Sequence, residues 1–179
     1  MEASPYFADW RHCPRCGSER LEVEGAEATC SDCGKKVHAN PAPTASALLV
    51  DERGRVLLAR RAAEPAAGLW DLLGGFVDEG EEGVDALRRE LREELGVEIE
   101  LDEFVGAFPD TYGEDGVWTF NLYWTARIVS GEAEPNEELL EISWFAPDAL
   151  PPREEFAFSN TVAALEVWSG RVRTRGPAK

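Results

Sequence analysis

The sequence has no run of about 18 consecutive apolar residues, so nothing in it has the length of a membrane-spanning helix. Its start, Met1-Glu2-Ala3-Ser4-Pro5, lacks the basic-then-apolar layout of a secretory signal, and the expected location is the cytoplasm. Basic residues are scarce: 18 Lys and Arg face 35 Asp and Glu, a formal net charge of -17. The deficit is concentrated in residues 40–169, which carry 9 basic and 28 acidic side chains. Such a body repels phosphate backbones and anionic bilayers, which argues against nucleic acid and membranes as partners. A phosphate-bearing ligand would need a cation between itself and this surface. Internal repeats are absent. With 179 residues, 44% of them hydrophobic, the chain has material for one main core and a small appendage, and it does not read as disordered.

Cysteine is sparse too, and none is left over. The four form two pairs, Cys13-Pro14-Arg15-Cys16-Gly17 and Cys30-Ser31-Asp32-Cys33-Gly34. Two short turns that each present two thiols match the spacing of a four-cysteine zinc ribbon, with the glycines permitting tight backbone. Paired disulfides and a redox pair are the competing readings; a cytoplasmic setting disfavours the first, and the lack of an adjacent strand-helix unit the second. His12 and His38 flank the ribbon as bystanders, because four thiolates complete a tetrahedral site. Residues 21–24 alternate like a short strand. With few large apolar residues, segment 1–39 would rely on zinc to hold it together. It reads as a clip that packs on the main domain or helps form a homodimer.

The prolines of segment 39–44 predict an extended connector. Residues 45–50 and 56–60 then read as a hairpin around Asp51-Glu52-Arg53-Gly54, and 69–73 as an apolar stretch leading into Gly74-Gly75. Val84, Leu87, Leu91 and Leu95 recur at helical steps, with Gly96 as C-cap. Strands are expected at 97–101, 104–108, 117–129 and 142–145, with a turn at Glu114-Asp115-Gly116. A helix is expected at 159–168, capped by Ser159 or Asn160, before a basic flexible tail, 170–179. The expected fold class is α/β or α+β, a sandwich in which two helices cover opposite faces of a mixed sheet in residues 40–169, preceded by the ribbon.

Residues three and four apart share a helix face, so Glu90, Glu93 and Glu94 crowd their carboxylates. Either Arg88, Arg89 and Arg92 make this an ordinary solvated face, or a divalent cation relieves the repulsion. The neighbouring loop, Gly74-Gly75-Phe76-Val77-Asp78-Glu79-Gly80, favours the cation, because glycine allows close backbone approach and loop carbonyls supplement carboxylates around Mg²⁺.

At this point the chain resembles the Nudix family. Gly75, five residues, Glu81, seven residues, Arg89-Glu90-Leu91, one residue, Glu93-Glu94, one residue and Gly96-Val97 fit the Nudix box at every defined position. A chance fit in a chain this long is about one in a million. The resemblance implies the Nudix α/β/α sandwich and hydrolysis of a nucleoside diphosphate linked to another moiety. It also implies Mg²⁺ or Mn²⁺ held by Glu90, Glu93, Glu94 and the Gly75 carbonyl, with Arg89 and Glu81 as an orienting ion pair. Leu73 stands where the family commonly has proline. Ribbon followed by box is similar to the branch containing NADH, FAD and ADP-ribose pyrophosphatases, although the Ser-Gln-Pro-Trp array of NADH pyrophosphatases is missing.

The expected partner is therefore a small nucleotide derivative, cleaved by water to a nucleoside monophosphate and a second phosphate ester. The resemblance implies a general base from the box or from a loop beyond it; Glu138, six residues before Trp144, is the loop candidate, and a plain solvated acid is its other reading. Phe108, Tyr112, Trp118, Phe120 and Trp70 are candidates for base stacking, with core packing the commoner role of strand aromatics. Removal of noncanonical nucleoside triphosphates and a non-catalytic regulatory module are the alternatives; the intact glutamate set argues against the latter.

Overall fold

A computed structural model describes residues 3–114 and 116–175. The chain forms two compact units, one of residues up to Pro41 with Thr111–Trp118, the other of Ala42–Asp110 with the chain from Thr119 onward. In the first, a 3-10 turn at Pro5–Phe7 buries Phe7, whose ring meets those of Tyr6 and Trp10 edge-on. β1 (Leu21–Glu24), β2 (Glu27–Cys30) and β3 (Lys36–His38) form an antiparallel sheet in that order. The alternation at 21–24 is thus a strand.

The second unit is built on two sheets. β4 (Ala42–Leu49), β7 (Leu73–Phe76), β8 (Glu98–Tyr112) and β9 (Val117–Ser130) form one, in the order β7-β4-β9-β8, with β4 antiparallel to β7 and parallel to β9. β5 (Val56–Arg61), β6 (Trp70–Asp71) and β10 (Leu139–Phe145) form the other, in the order β10-β5-β6. Alternation sends β4 and β5 side chains to two cores. Ala45, Ala47, Leu49, Leu57 and Ala59 meet Leu87, Leu91 and Leu95 of α1 (Gly83–Leu95). Leu48, Val56 and Leu58 meet Val162, Leu165 and Trp168 of α2 (Ser159–Arg175). The result is an α/β/α sandwich with a mixed sheet, as expected.

Several boundaries differ from the sequence reading, each for a physical reason. Residues 45–50 and 56–60 are not a paired hairpin. Asp51 accepts the Arg53 and Arg55 amides and closes the turn, but after one bridge, Val50 to Val56, the strands part into different sheets. The connector is already strand from Ala42, with Pro43 placed before the pairing with β7 begins at Thr44. Segments 97–101 and 104–108 are one strand, β8, because the Thr125 hydroxyl bonds both Glu103 N–H and Glu103 C=O where the two candidates meet.

α2 continues to Arg175, through much of the segment expected to be a basic tail. Val172 lies one turn beyond buried Trp168 and packs on the same core, and Arg171 donates to the Phe104 and Val105 carbonyls. The rest of that tail, 176–179, lies outside the described residues, as do Met1, Glu2 and Asp115 of the expected 114–116 turn. No helix among the described residues is long and apolar enough to cross a membrane.

Candidate active site

α1 sorts its carboxylates by depth. Leu87, Leu91 and Leu95 are fully buried, so Glu94, three residues after Leu91, turns inward and is only 9% exposed. Glu90 lies at the margin with its side chain 17% exposed, and Glu93 faces solvent at 59%. Glu94 Oε2 accepts the Gly74 N–H at 3.0 Å. Burial, and then the like charges of Glu90, Asp71 and Glu138, push the Glu94 carboxyl up to about 8. Burial also raises Glu90, against the opposing pull of Arg89.

Helix and Gly-rich strand meet at two glycines with different constraints. A Cβ on Gly74 would lie 2.1 Å from the Ala45 carbonyl oxygen, and its φ of 137° is rarely adopted by other residues. A Cβ on Gly75 would lie 2.5 Å from Cδ of Glu90. Absence of a side chain at 75 therefore lets a carboxylate rest on strand backbone. The spacing of glycine and glutamates in the sequence carries this contact.

Arg89 is the hub between helix and loop. Its Nε and Nη2 donate to Glu81 Oε1 and Oε2 at 3.0 and 2.9 Å, a two-pronged pair, and Nη2 also reaches the Phe76 carbonyl at 3.1 Å. Nη1 donates to Glu90 Oε1 at 2.7 Å and to Glu93 Oε2 at 3.4 Å. Glu81 in turn accepts the Asp78 N–H, and Arg89 holds its carboxyl below the usual range. Arg88 and Arg92, by contrast, make outer pairs with Asp85 and Glu98. The face is not an evenly solvated array: one arginine is committed to the acids, two are not.

Glu138 is exposed, on the segment between β9 and β10, and acts electrostatically on both Glu90 and Glu94. The fold thus brings it toward the acidic helix. Among the described residues no three carboxylates bring an oxygen each within 4.8 Å of one another, whereas the sulfurs of Cys13, Cys16, Cys30 and Cys33 do. Cys13 Sγ lies 3.6 Å from Cys33 Sγ, and Cys16 Sγ 3.7 Å from Cys30 Sγ. The edge of a tetrahedron with Zn–S bonds of ~2.3 Å is ~3.8 Å. The four sulfurs therefore have the spread of a metal-holding group.

The aromatic candidates separate. Trp70 is buried against Phe145, and Phe108 packs on Tyr123, so both belong to the core. Tyr112 is half-buried, while Trp118 and Phe120 are exposed. Two groups escaped the sequence reading. Asp71 accepts from the Thr161 hydroxyl at 2.5 Å and the Leu72 N–H at 2.8 Å, with Arg61 Nη1 3.5 Å away, and burial pushes its carboxyl up. A lone acid in the apolar run before Gly74 was its signal. Asn136 joins the end of α1 to the Glu138 segment, and Asn two residues before an acid was its signal.

The NUDIX domain family model matches residues 40–165. The NAD-capped RNA hydrolase NudC of Pseudomonas aeruginosa is 34% identical over 149 residues, covering 79% of this chain and 50% of that protein. The chain thus spans about half the length of the curated relatives it matches. A MutT NUDIX hydrolase from Burkholderia pseudomallei has 31% identity and a TM-score of 0.63 over 71% of this chain and 97% of that one. A NUDIX hydrolase from Nitrosomonas europaea shares the fold more completely, with a TM-score of 0.74 over 94% and 95% of the two chains at 24% identity. Family model, relatives and the box at residues 75–97 agree, and the chain belongs to the NUDIX family.

Proposed function

We propose that this chain is a divalent-metal-dependent pyrophosphohydrolase that cleaves a nucleoside diphosphate linked to a second moiety, a dinucleotide such as FAD or NADH, or ADP-ribose. The observation that carries this reading is Glu94: a buried carboxylate whose strongest charged neighbours are other carboxylates. Such a group is costly to ionise without a counter-charge. Its neighbours are hard oxygen donors, and Gly75 leaves room for Glu90 beside the strand. Glu90, Glu93, Glu94 and the Gly75 carbonyl are hard oxygen donors of the kind Mg²⁺ or Mn²⁺ takes, and the three carboxylates would have to draw together around such an ion, which when bound would neutralise pyrophosphate oxygens and acidify water.

The chain's own residues supply the rest. The Arg89–Glu81 fork fixes the helix to the Gly-rich loop, so Glu90 is held at the strand while Glu94 is held by Gly74 N–H. Glu138 is the base, its carboxylate accepting a proton from the attacking water as the phosphoanhydride bond breaks. The products are a nucleoside monophosphate and a second phosphate ester. Cys13, Cys16, Cys30 and Cys33 hold a structural zinc, and the protein works in the cytoplasm.

Likeness to NAD-capped RNA hydrolases favours a dinucleotide over a nucleoside triphosphate. The test is a panel of NADH, NAD-capped RNA, FAD, ADP-ribose and noncanonical triphosphates with Mg²⁺, with products identified. Two monophosphates from a dinucleotide are expected. Release of pyrophosphate from triphosphates alone would replace this reading with pool cleaning, and turnover of nothing would leave a binding module.

A further inference from the structure

The last turn of a helix leaves carbonyls that the helix itself does not satisfy. In α1 the Arg92 carbonyl is taken by the Gly96 N–H at 3.0 Å. The next three are all answered by the segment after β9. Glu134 N–H reaches the Leu95 carbonyl at 3.2 Å, Asn136 N–H the Glu94 carbonyl at 2.9 Å, and Asn136 Nδ2 the Glu93 carbonyl at 3.1 Å. The segment starts pressed to the same helix end: a Cβ on Gly131 would lie 2.6 Å from the Gly96 carbonyl oxygen.

A cap needs only those donors. Asn136 does one thing more, because its Oδ1 accepts the N–H of Glu138 at 2.9 Å. That ring, from a side-chain oxygen to the amide two residues on, is an Asx turn and fixes the direction in which the chain leaves residue 136. On the far side, the Glu138 carbonyl accepts the Ala62 N–H at 2.9 Å. One amide side chain therefore ties the backbone of Glu93 to the backbone of Glu138.

We propose that Asn136 is a positioning residue, which sets the Glu138 carboxylate against the acidic face of α1 by clamping its segment to the helix end. The proposal rests on the reading of Glu138 as the base. It gives Asn136 a role in kcat, because without its side chain only backbone bonds hold the segment, and an exposed glutamate there would sample more positions and reach the attacking water in fewer of them.

The experiment compares kcat and KM for the best substrate of the panel in wild type, Glu138→Gln, Asn136→Ala, Asn136→Ser and the Asn136→Ala/Glu138→Gln pair, with amide exchange at Glu138. Asn136→Ala should lower kcat by about tenfold or more with KM within about twofold, and speed exchange at Glu138. Asn136→Ser keeps an acceptor for the i+2 amide but drops the donor to Glu93, so it should recover only part of the lost kcat, and full recovery would overturn the clamp to the helix end. In the Glu138→Gln background the alanine change should have no further effect on kcat, because the two act as one unit. Full turnover in Asn136→Ala beside a crippled Glu138→Gln would overturn the proposal and leave the base intact. An equal fall in both backgrounds would overturn it as well. Full turnover in Glu138→Gln would remove the base and the positioning role with it.

Discussion

At the scale of single residues, the site is a matter of where side chains are missing and where charge is buried. The folded-state pKa of Glu94 is raised from 4.5 to about 8, so folding favours its protonated form. The stability this gives the metal-free protein is fully present below about pH 4.5 and is lost as pH rises through about 8. Urea unfolding in chelator should therefore show stability falling across that window, and Mg²⁺ should flatten the fall. Glu94→Gln should reduce the slope, leaving the part that Glu90 and Asp71 contribute, and be more stable than wild type in chelator at pH 8 to 9, yet lose kcat by roughly a hundredfold or more. A variant no more stable at high pH would contradict the burial argument. The two glycines should separate just as cleanly. Gly74→Ala drives a methyl into the Ala45 backbone at a strained φ, and at least about 2–3 kcal/mol of stability should go with it. Gly75→Ala meets only the end of the Glu90 side chain, which can swing aside, so that protein should fold and be nearly inactive. Thermal unfolding with parallel assays checks both.

At the scale of elements, what could be read in the sequence was what depends on neighbours in the chain. The apolar stripe of α1 and its Gly96 cap were legible because both signals sit within one helix; its start was not, since Glu82 at the N-cap makes no side-chain cap bond. The fork between Arg89 and Glu81 followed from the box; the grading of Glu94, Glu90 and Glu93 from buried to exposed did not, since it depends on where the sheet lies under the helix. α2 illustrates the limit. Its sequence offers Ser159 and Asn160 as caps, yet in the structure Asp110 of β8 accepts both the Ser159 hydroxyl and the Asn160 N–H, each at 2.9 Å. No local pattern points to an acid so far away. Asp110→Ala should cost about 1 kcal/mol of stability, the usual value of a lost N-terminal cap, measured by urea unfolding. An unchanged midpoint would mean that Ser159 caps the helix unaided. Asn136 is the same case at the other helix: its partners, the Glu93 carbonyl and the Glu138 amide, lie on two elements.

At the scale of the molecule, composition announced two bodies but not how strands would be shared. Residues 45–50 and 56–60 adjoin in sequence and belong to different sheets, because β4 finds β7 and β9 as partners while β5 finds β10 and β6. Long-range pairing of this kind is decided by the whole core and leaves no local trace. The cysteine pairs, in contrast, were legible because the constraint is chemical. The unit around them buries little apolar surface of its own, chiefly Phe7, Cys13, Ala28 and Cys30. A body so small rarely holds together by its core alone, and binding of the ion would then be most of its folding energy. The purified chain should accordingly carry about one zinc per molecule, as four thiolates make one tetrahedral site. After removal of that zinc, limited proteolysis should cut within residues 3–41 while the strands and helices of residues 42–110 stay protected. Cys30→Ser, which takes away a buried ligand, should reproduce the cut pattern without a chelator. If the stripped protein resists protease as the zinc form does, the ribbon folds on its aromatic contacts around Phe7 and the metal is incidental to it.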